Sequence, residues 1–234
     1  MGTAGLDDLK IGSSQVDKVY QGGNLVWPSG VVFKGAVTDT NASSINNITL
    51  DLSGTVSTGD LVYIAISSDS TLDGTAVTIS GMTTVQPQQY STSSPGFVIA
   101  YGFFQSGDST TITFSTTSNN GNNLTAIAAV FGNVTAFQNT TGQFGTYGTP
   151  NPPSLAAGSA TELLIISGHQ DDDNYTMTSP SGYTMAASLG YGSSGNATTT
   201  GVGYKITNVN VTENPSSFGG SGDDRWFAFT LRFS

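Results

Sequence analysis

The sequence predicts an all-β protein: an antiparallel β-sandwich, jelly-roll-like and built from two related halves, preceded by an N-terminal β-hairpin. Three observations carry this reading. Apolar residues recur with a period of two in segment after segment, and no stretch shows a convincing helical period. Val, Ile, Thr, Phe and Tyr are abundant, while the charged helix formers are scarce: only 9% of the 234 residues are charged. Turn-forming Gly, Asn, Asp and Ser, with 30 Gly among them, separate the apolar segments at short intervals. The length is ample for a sizeable core.

The first element is the stretch "GSSQVDKVYQGGNLVWP". Two apolar pieces, Val16 to Tyr20 and Leu25 to Trp27, flank Gln21-Gly22-Gly23-Asn24 and end at Pro28, which is the pattern of a hairpin. A lone hairpin is marginal in water and must pack on something. Residues 1–30 therefore read as a docking segment, with Val16, Val19, Tyr20, Leu25, Val26 and Trp27 as its assembly contacts, and residues 31–234 read as the sandwich.

Within the sandwich, strands are expected at Val31 to Val37, Asn47 to Leu52, Asp60 to Ile66, Val77 to Ile79, Phe97 to Phe104, Thr111 to Ser115, Leu124 to Phe131, Glu162 to Ser167, Thr198 to Thr207 and Trp226 to Phe233. In "TITFS", Ile112 and Phe114 share one face; in "WFAFTLRF", Phe227, Phe229, Leu231 and Phe233 do. Leu124 to Val130 could be helical on propensity, but its length and setting favour a buried strand. An internal duplication is visible. "GDLVYIAISSD", "TISGMTTV", "GFVIAYGFF" and "LTAIAAVFGNV" correspond to "TELLIISGHQDDD", "SPSGYTMAAS", "TTTGVGYKI" and "RWFAFTLRF". The halves are expected to face each other as one two-sheet domain, joined by the Pro-rich segment Gly148 to Gly158.

Composition also bounds the function. The formal charge is −10 and only six Lys and Arg are spread along the chain, so neither nucleic acid nor an anionic membrane is an expected partner. No apolar run reaches membrane-spanning length and no secretory leader is visible. The absence of cysteine excludes disulfides and thiol chemistry.

The one histidine, His169, sits beside Asp171, Asp172 and Asp173 in "GHQDDDNY". A cation site there would need oxygen ligands in a loop, but the spacing matches no EF-hand, and an exposed acidic turn after a strand is the simpler reading. No metal is expected, and no cofactor. No Gly-x-Ser-x-Gly elbow marks a nucleophile, and the only glutamates are Glu162 and Glu213, so no catalytic residue is assigned and the chain is read as non-enzymatic. Tyr90, Phe144, Tyr147, Tyr191 and Phe218 lie on or beside Gly-rich loops. They are candidates for a sugar- or protein-binding surface, or for lids folded back on the sandwich ends.

Two segments resemble known phage proteins. Ile11, Gly12, Val16, Lys18, Val19, Tyr20, Gly22, Leu25, Val26 and Trp27 are similar to a short motif, IGSxxVxKVYxGxxLVW, of tailed-phage virion proteins, often cyanophage ones. Gly59-Asp60-Leu61-Val62, Pro180-Ser181-Gly182-Tyr183-Thr184 and Gly203-Tyr204-Lys205 resemble a β-sandwich module of phage tail and capsid-surface proteins; Ser80-Gly81-Met82-Thr83 departs from it, lacking the proline and the aromatic. The resemblance implies a virion structural protein, most readily a capsid decoration or cement protein. Its expected partners are major capsid or tail proteins and copies of itself, with a trimer as the expected homo-oligomer. The alternative is a tail-fibre or adhesin-type module that recognises host surface glycan.

Overall fold

In the computed structural model the described residues are 10–11, 14–15, 19–21, 24–27, 30–41, 47–69, 72, 77–82, 86–89, 96–116, 123–193 and 195–234, and they contain strands, turns and no helix. The leader forms β1 (Lys10–Ile11), β2 (Ser14–Gln15), β3 (Val19–Gln21) and β4 (Asn24–Trp27). β1 pairs with β2 and β3 with β4, both antiparallel, and neither pair joins a sheet of the body.

The first half of the body contains β5 (Val32–Asn41), β6 (Asn47–Asp51), β7 (Leu61–Ser68), β8 (Val77–Ser80), β9 (Gln86–Gln89), β10 (Gly96–Phe103), β11 (Thr111–Thr116) and β12 (Leu124–Gly132). They form a five-stranded sheet, β5-β12-β7-β10-β9, and a three-stranded one, β6-β11-β8. The second half contains β13 (Phe137–Gly145), β14 (Leu163–Asp171), β15 (Thr184–Tyr191), β16 (Thr198–Ile206) and β17 (Trp226–Phe233), in one sheet ordered β13-β17-β14-β16-β15.

The two five-stranded sheets have the same order once β5, β7, β9, β10 and β12 are matched to β13, β14, β15, β16 and β17. Even the irregularities coincide. β5 slips register against β12 beside the Phe33–Phe131 pair, and β13 slips against β17 beside the Phe137–Phe233 pair. Among the described residues, the three-stranded sheet of the first half has as its counterpart in the second two isolated bridges, Leu155 to Glu213 and Thr178 to Gly219. The segment 213–219 is thus bridged on both sides, as β11 is between β6 and β8.

The two large sheets pack face to face. Leu61, Tyr63, Ala65, Phe97, Ile99, Ile127, Ala129 and Phe131 meet Leu163, Ile165, Val202, Phe227, Phe229, Leu231 and Phe233 in the central core. The opposite face of the first sheet (Val62, Ile64, Ile66, Ala128, Val130) packs on Ile48, Leu50, Ile112 and Phe114 of the three-stranded sheet. The opposite face of the second, through Leu164 and Ile166, packs on Leu155, Met177, Tyr183 and Phe218. Strands buried on both faces read as near-continuous apolar runs, which is why "LVYIAIS" and "LTAIAAVF" lack clean alternation. The expected pair of facing sheets is therefore the inner pair, and each carries a further layer outside it.

The interior follows an approximate two-fold relation. Phe33 stacks on Tyr204 at 4.6 Å between centroids and Phe137 on Tyr101 at 4.8 Å. Phe131 meets Tyr204 edge-on at 5.4 Å and Phe233 meets Tyr101 edge-on at 5.5 Å. Each set is the register equivalent of the other. Polar contacts also cross between the halves: Tyr63 Oη and Ser167 Oγ lie 2.6 Å apart, Thr125 Oγ1 and Thr200 Oγ1 2.6 Å apart, and Ser67 also meets Thr200.

The expected join between the halves is corrected. Leu124–Gly132 is a strand throughout, as favoured, but the join between halves is residues 133–136, between β12 and β13. The Pro-rich segment Gly148 to Gly158 lies inside the second half, between β13 and β14. Three strands, β9, β13 and β15, were not expected at all. All three are edge strands of their sheets; β13 is half-buried along most of its length with little apolar content, and β15 slips register between Met185 and Ala187, which breaks its alternation, so the period-two signal is faint.

Candidate functional site

The leader residues of interest divide. Val19 and Tyr20 lie on β3 and Leu25, Val26 and Trp27 on β4, with Val19 opposite Trp27 and Tyr20 opposite Leu25. Val16 lies outside the described residues.

The four candidate surface aromatics among the described residues are not brought together. Phe144 and Tyr147 are strongly exposed at the end of β13, at 64% and 79%. Tyr147 is fixed through its backbone, whose carbonyl accepts the Trp226 Nε1 hydrogen at 3.0 Å. Phe144 leans on Phe227 at 6.2 Å between centroids. Tyr191 is half-buried at the end of β15, on the opposite edge of the same sheet; four strand spacings amount to about 19 Å. Phe218 is not a surface residue. It is buried against Leu164, Ile166 and Met177, and its ring sits so close to Gly168 that a Cβ there would lie 3.1 Å from it. It plays the lid role and not the binding one. Tyr90 lies outside the described residues.

A different cluster is assembled at the seam between the halves. β7 and β14 are register equivalents, since Leu61 faces Phe131 and Phe103 while Leu163 faces Phe233 and Ile206. Continuing along both strands places Asp69 and Asp171 at equivalent positions at their ends. Asp69, Asp171 and Asp172 each offer a carboxylate oxygen, and these oxygens all lie within 4.8 Å of one another. Asp171 is the last residue of β14, and Asp172 follows at φ 53°, turning the chain so that two consecutive carboxylates serve one cluster. Asp69 and Asp171 are buried.

One cation faces the cluster: Arg225 Nη2 lies 2.8 Å from Asp171 Oδ2, and the Arg225 carbonyl accepts the Asp171 N–H at 2.9 Å. Burial, opposed by Arg225 and reinforced by Asp172, Asp69 and Asp224, pushes the Asp171 carboxyl up to about 7. Burial followed by the Asp172 charge raises Asp69 as well.

Asp173 and His169, expected as parts of one acidic turn, go elsewhere. The Asp173 carboxylate accepts the Asp223 N–H at 3.1 Å. His169 is fully buried in the central core, tilted against Phe97 and stacked with Phe227. Its Nδ1 lies 3.3 Å from the Thr199 carbonyl and 3.2 Å from Thr198 Oγ1. Burial holds its pKa down at about 3, so it is a neutral core residue at ordinary pH. Asp69 was missed by motif reading because it is distant in sequence. The duplication was the signal that held it, since "GDLVYIAISSD" aligns with "TELLIISGHQD" aspartate to aspartate.

Compared with known protein families, curated proteins and solved structures, the chain has no significant match in any of the three.

Proposed function

We propose that the chain is a non-enzymatic structural protein of a tailed-phage virion, a capsid decoration subunit anchored by its N-terminal leader. The observation that supports this reading is the pairing of the leader: among the described residues its two short strand pairs ladder only with themselves, while the body forms its sheets without them. An isolated hairpin gains stability by packing on a larger surface. A standard specific interface removes roughly 800 Å² per partner, enough to hold such an element on a neighbouring virion protein or another copy of the chain. The phage assignment itself rests on the resemblance of Ile11 to Trp27 to virion proteins.

The test is incorporation. Removing residues 1–29 is expected to abolish incorporation into particles while leaving the melting temperature of the body within a few degrees of the full chain. Undiminished incorporation of the truncated chain overturns the reading.

A second reading, recognition of host surface glycan, is favoured by one observation: Phe144 on β13 and Tyr147 just past its end are both strongly exposed. Flat aromatic faces suit sugar rings. It predicts that the purified chain binds host cells and that Phe144→Ala with Tyr147→Ala removes that binding.

A further inference from the structure

We propose that the seam between the two halves holds one divalent cation of the hard, oxygen-preferring class, Ca²⁺ first, clamped by Asp69, Asp171 and Asp172.

The donor set argues for this class. It consists of carboxylates alone, which suit Ca²⁺ and Mg²⁺ and not the softer metals. The nearby His169 is engaged with Thr198 and Thr199 in the core. Oxygens within 4.8 Å of one another fit around a single ion, because two oxygens on opposite sides of Ca²⁺ are about 4.8 Å apart at bonds of about 2.4 Å. Waters and backbone carbonyls would complete the shell, as they do in most sites of this kind.

A cluster of acids by itself would not require an ion. The second observation is the state of Asp171. The residue has no exposed surface, and among the described residues its carboxylate has the Arg225 ion pair and no hydrogen-bond donor besides. Arg225 reaches Oδ2, which leaves Oδ1 buried with no donor among the described residues. Buried carboxylate oxygens are otherwise almost always satisfied, by donors or by a metal. The charge count points the same way. Three carboxylates, with Asp224 also acting on Asp171, outnumber the one guanidinium, an excess of negative charge that a divalent ion would offset. Because Asp69 belongs to one half and Asp171 and Asp172 to the other, the ion would join the halves, and its binding would add directly to folding stability.

The experiment uses the full chain, stripped with chelator and titrated with CaCl₂ alone, read by calorimetric titration and by thermal unfolding. One binding event per chain is expected. The melting temperature is expected to rise by about 5–10 °C at a hundredfold excess over Kd, the linkage effect for a chain of this size. Asp171→Asn risks disturbing the ion pair with Arg225, so the diagnostic variants are Asp172→Asn, which tolerates the positive φ, and Asp69→Asn. Both should melt at or above the stripped wild type, because a like-charge repulsion is removed, and both should lose the response to Ca²⁺. That opposite movement separates an ion clamp from a merely structural aspartate. The proposal is overturned if neither Ca²⁺ nor Mg²⁺ moves the melting temperature, or if both variants keep the full wild-type response.

Discussion

The facing of the two large sheets can be tested through one hydrogen bond. Tyr63 and Ser167 lie on equivalent strands of different halves, both fully buried, with their hydroxyls 2.6 Å apart. Tyr63→Phe removes the phenolic hydroxyl and strands the Ser167 one. Leaving a buried polar group unpaired costs about 1–3 kcal/mol, so a loss of about 2 kcal/mol is expected. Ser167→Ala strands the phenol instead, at a similar cost. The register equivalent of Ser167 in the first half is Ala65, so the sheet accepts alanine at this position. The double variant removes both partners together and should cost little more than either single change. The coupling energy in the cycle is then about 1–2 kcal/mol, well above the roughly 0.5 kcal/mol scatter of independent sites. Urea unfolding followed by both fluorescence and circular dichroism measures it. Additive losses, or two separate transitions of which only one responds to Tyr63→Phe, would refute a shared central core.

Other expectations rest on the same geometry. Phe131→Ala and Phe233→Ala remove equivalent, fully buried rings, so each should cost about 3–5 kcal/mol and the two losses should agree closely in denaturant titration. Gly81 and Gly182 both have positive φ, at 106° and 81°, but a Cβ at Gly81 would lie 2.4 Å from the Thr111 carbonyl whereas one at Gly182 meets nothing within 4 Å. Gly182→Ala should therefore cost only backbone strain of about 1–2 kcal/mol, and Gly81→Ala clearly more, read as a difference in melting temperature. Burial raises the Tyr63 phenol above its ordinary value near 10. The folded chain then holds a proton that the unfolded chain releases, so its contribution is intact below about pH 10 and is lost as the pH climbs further. Unfolding free energies measured from pH 9 to 11.5 should fall less steeply in Tyr63→Phe than in the wild type.

The interior of the fold was legible because its strands carry their own signal. "TITFS" and "WFAFTLRF" alternate, and "LVYIAIS" is apolar enough to mark a strand covered on both sides. Three of the four edges of the large sheets were not legible. "QPQQ" of β9 and "FQNTTGQFG" of β13 owe their conformation to a neighbouring strand and not to a pattern of their own. Missing β13 moved the expected join between halves into the Pro-rich loop that follows it. The candidate site was half legible. Asp171 and Asp172 stood out as a cluster, but their third member arrives through strand pairing from the other half. His169 drew attention as a lone titratable group, although a strand that ends in acids can still bury a residue two positions earlier. The aromatics were visible one by one, while their distribution over opposite edges depends on strand order.

The two-fold relation inside the chain has a further consequence. Ser67, Thr125 and Thr200 form a hydroxyl cluster on one side of the axis. Their equivalents on the other side are His169, Phe227 and Phe97, a set of packed rings. Two identical polypeptides could never make that distinction, because every amino-acid change would appear on both flanks simultaneously. Carried on one continuous polypeptide, the flanks are free to diverge, one toward hydroxyls and the other toward rings. Asp69 beside Asp171 is a place where the two flanks are still alike, a residue lying next to its own counterpart.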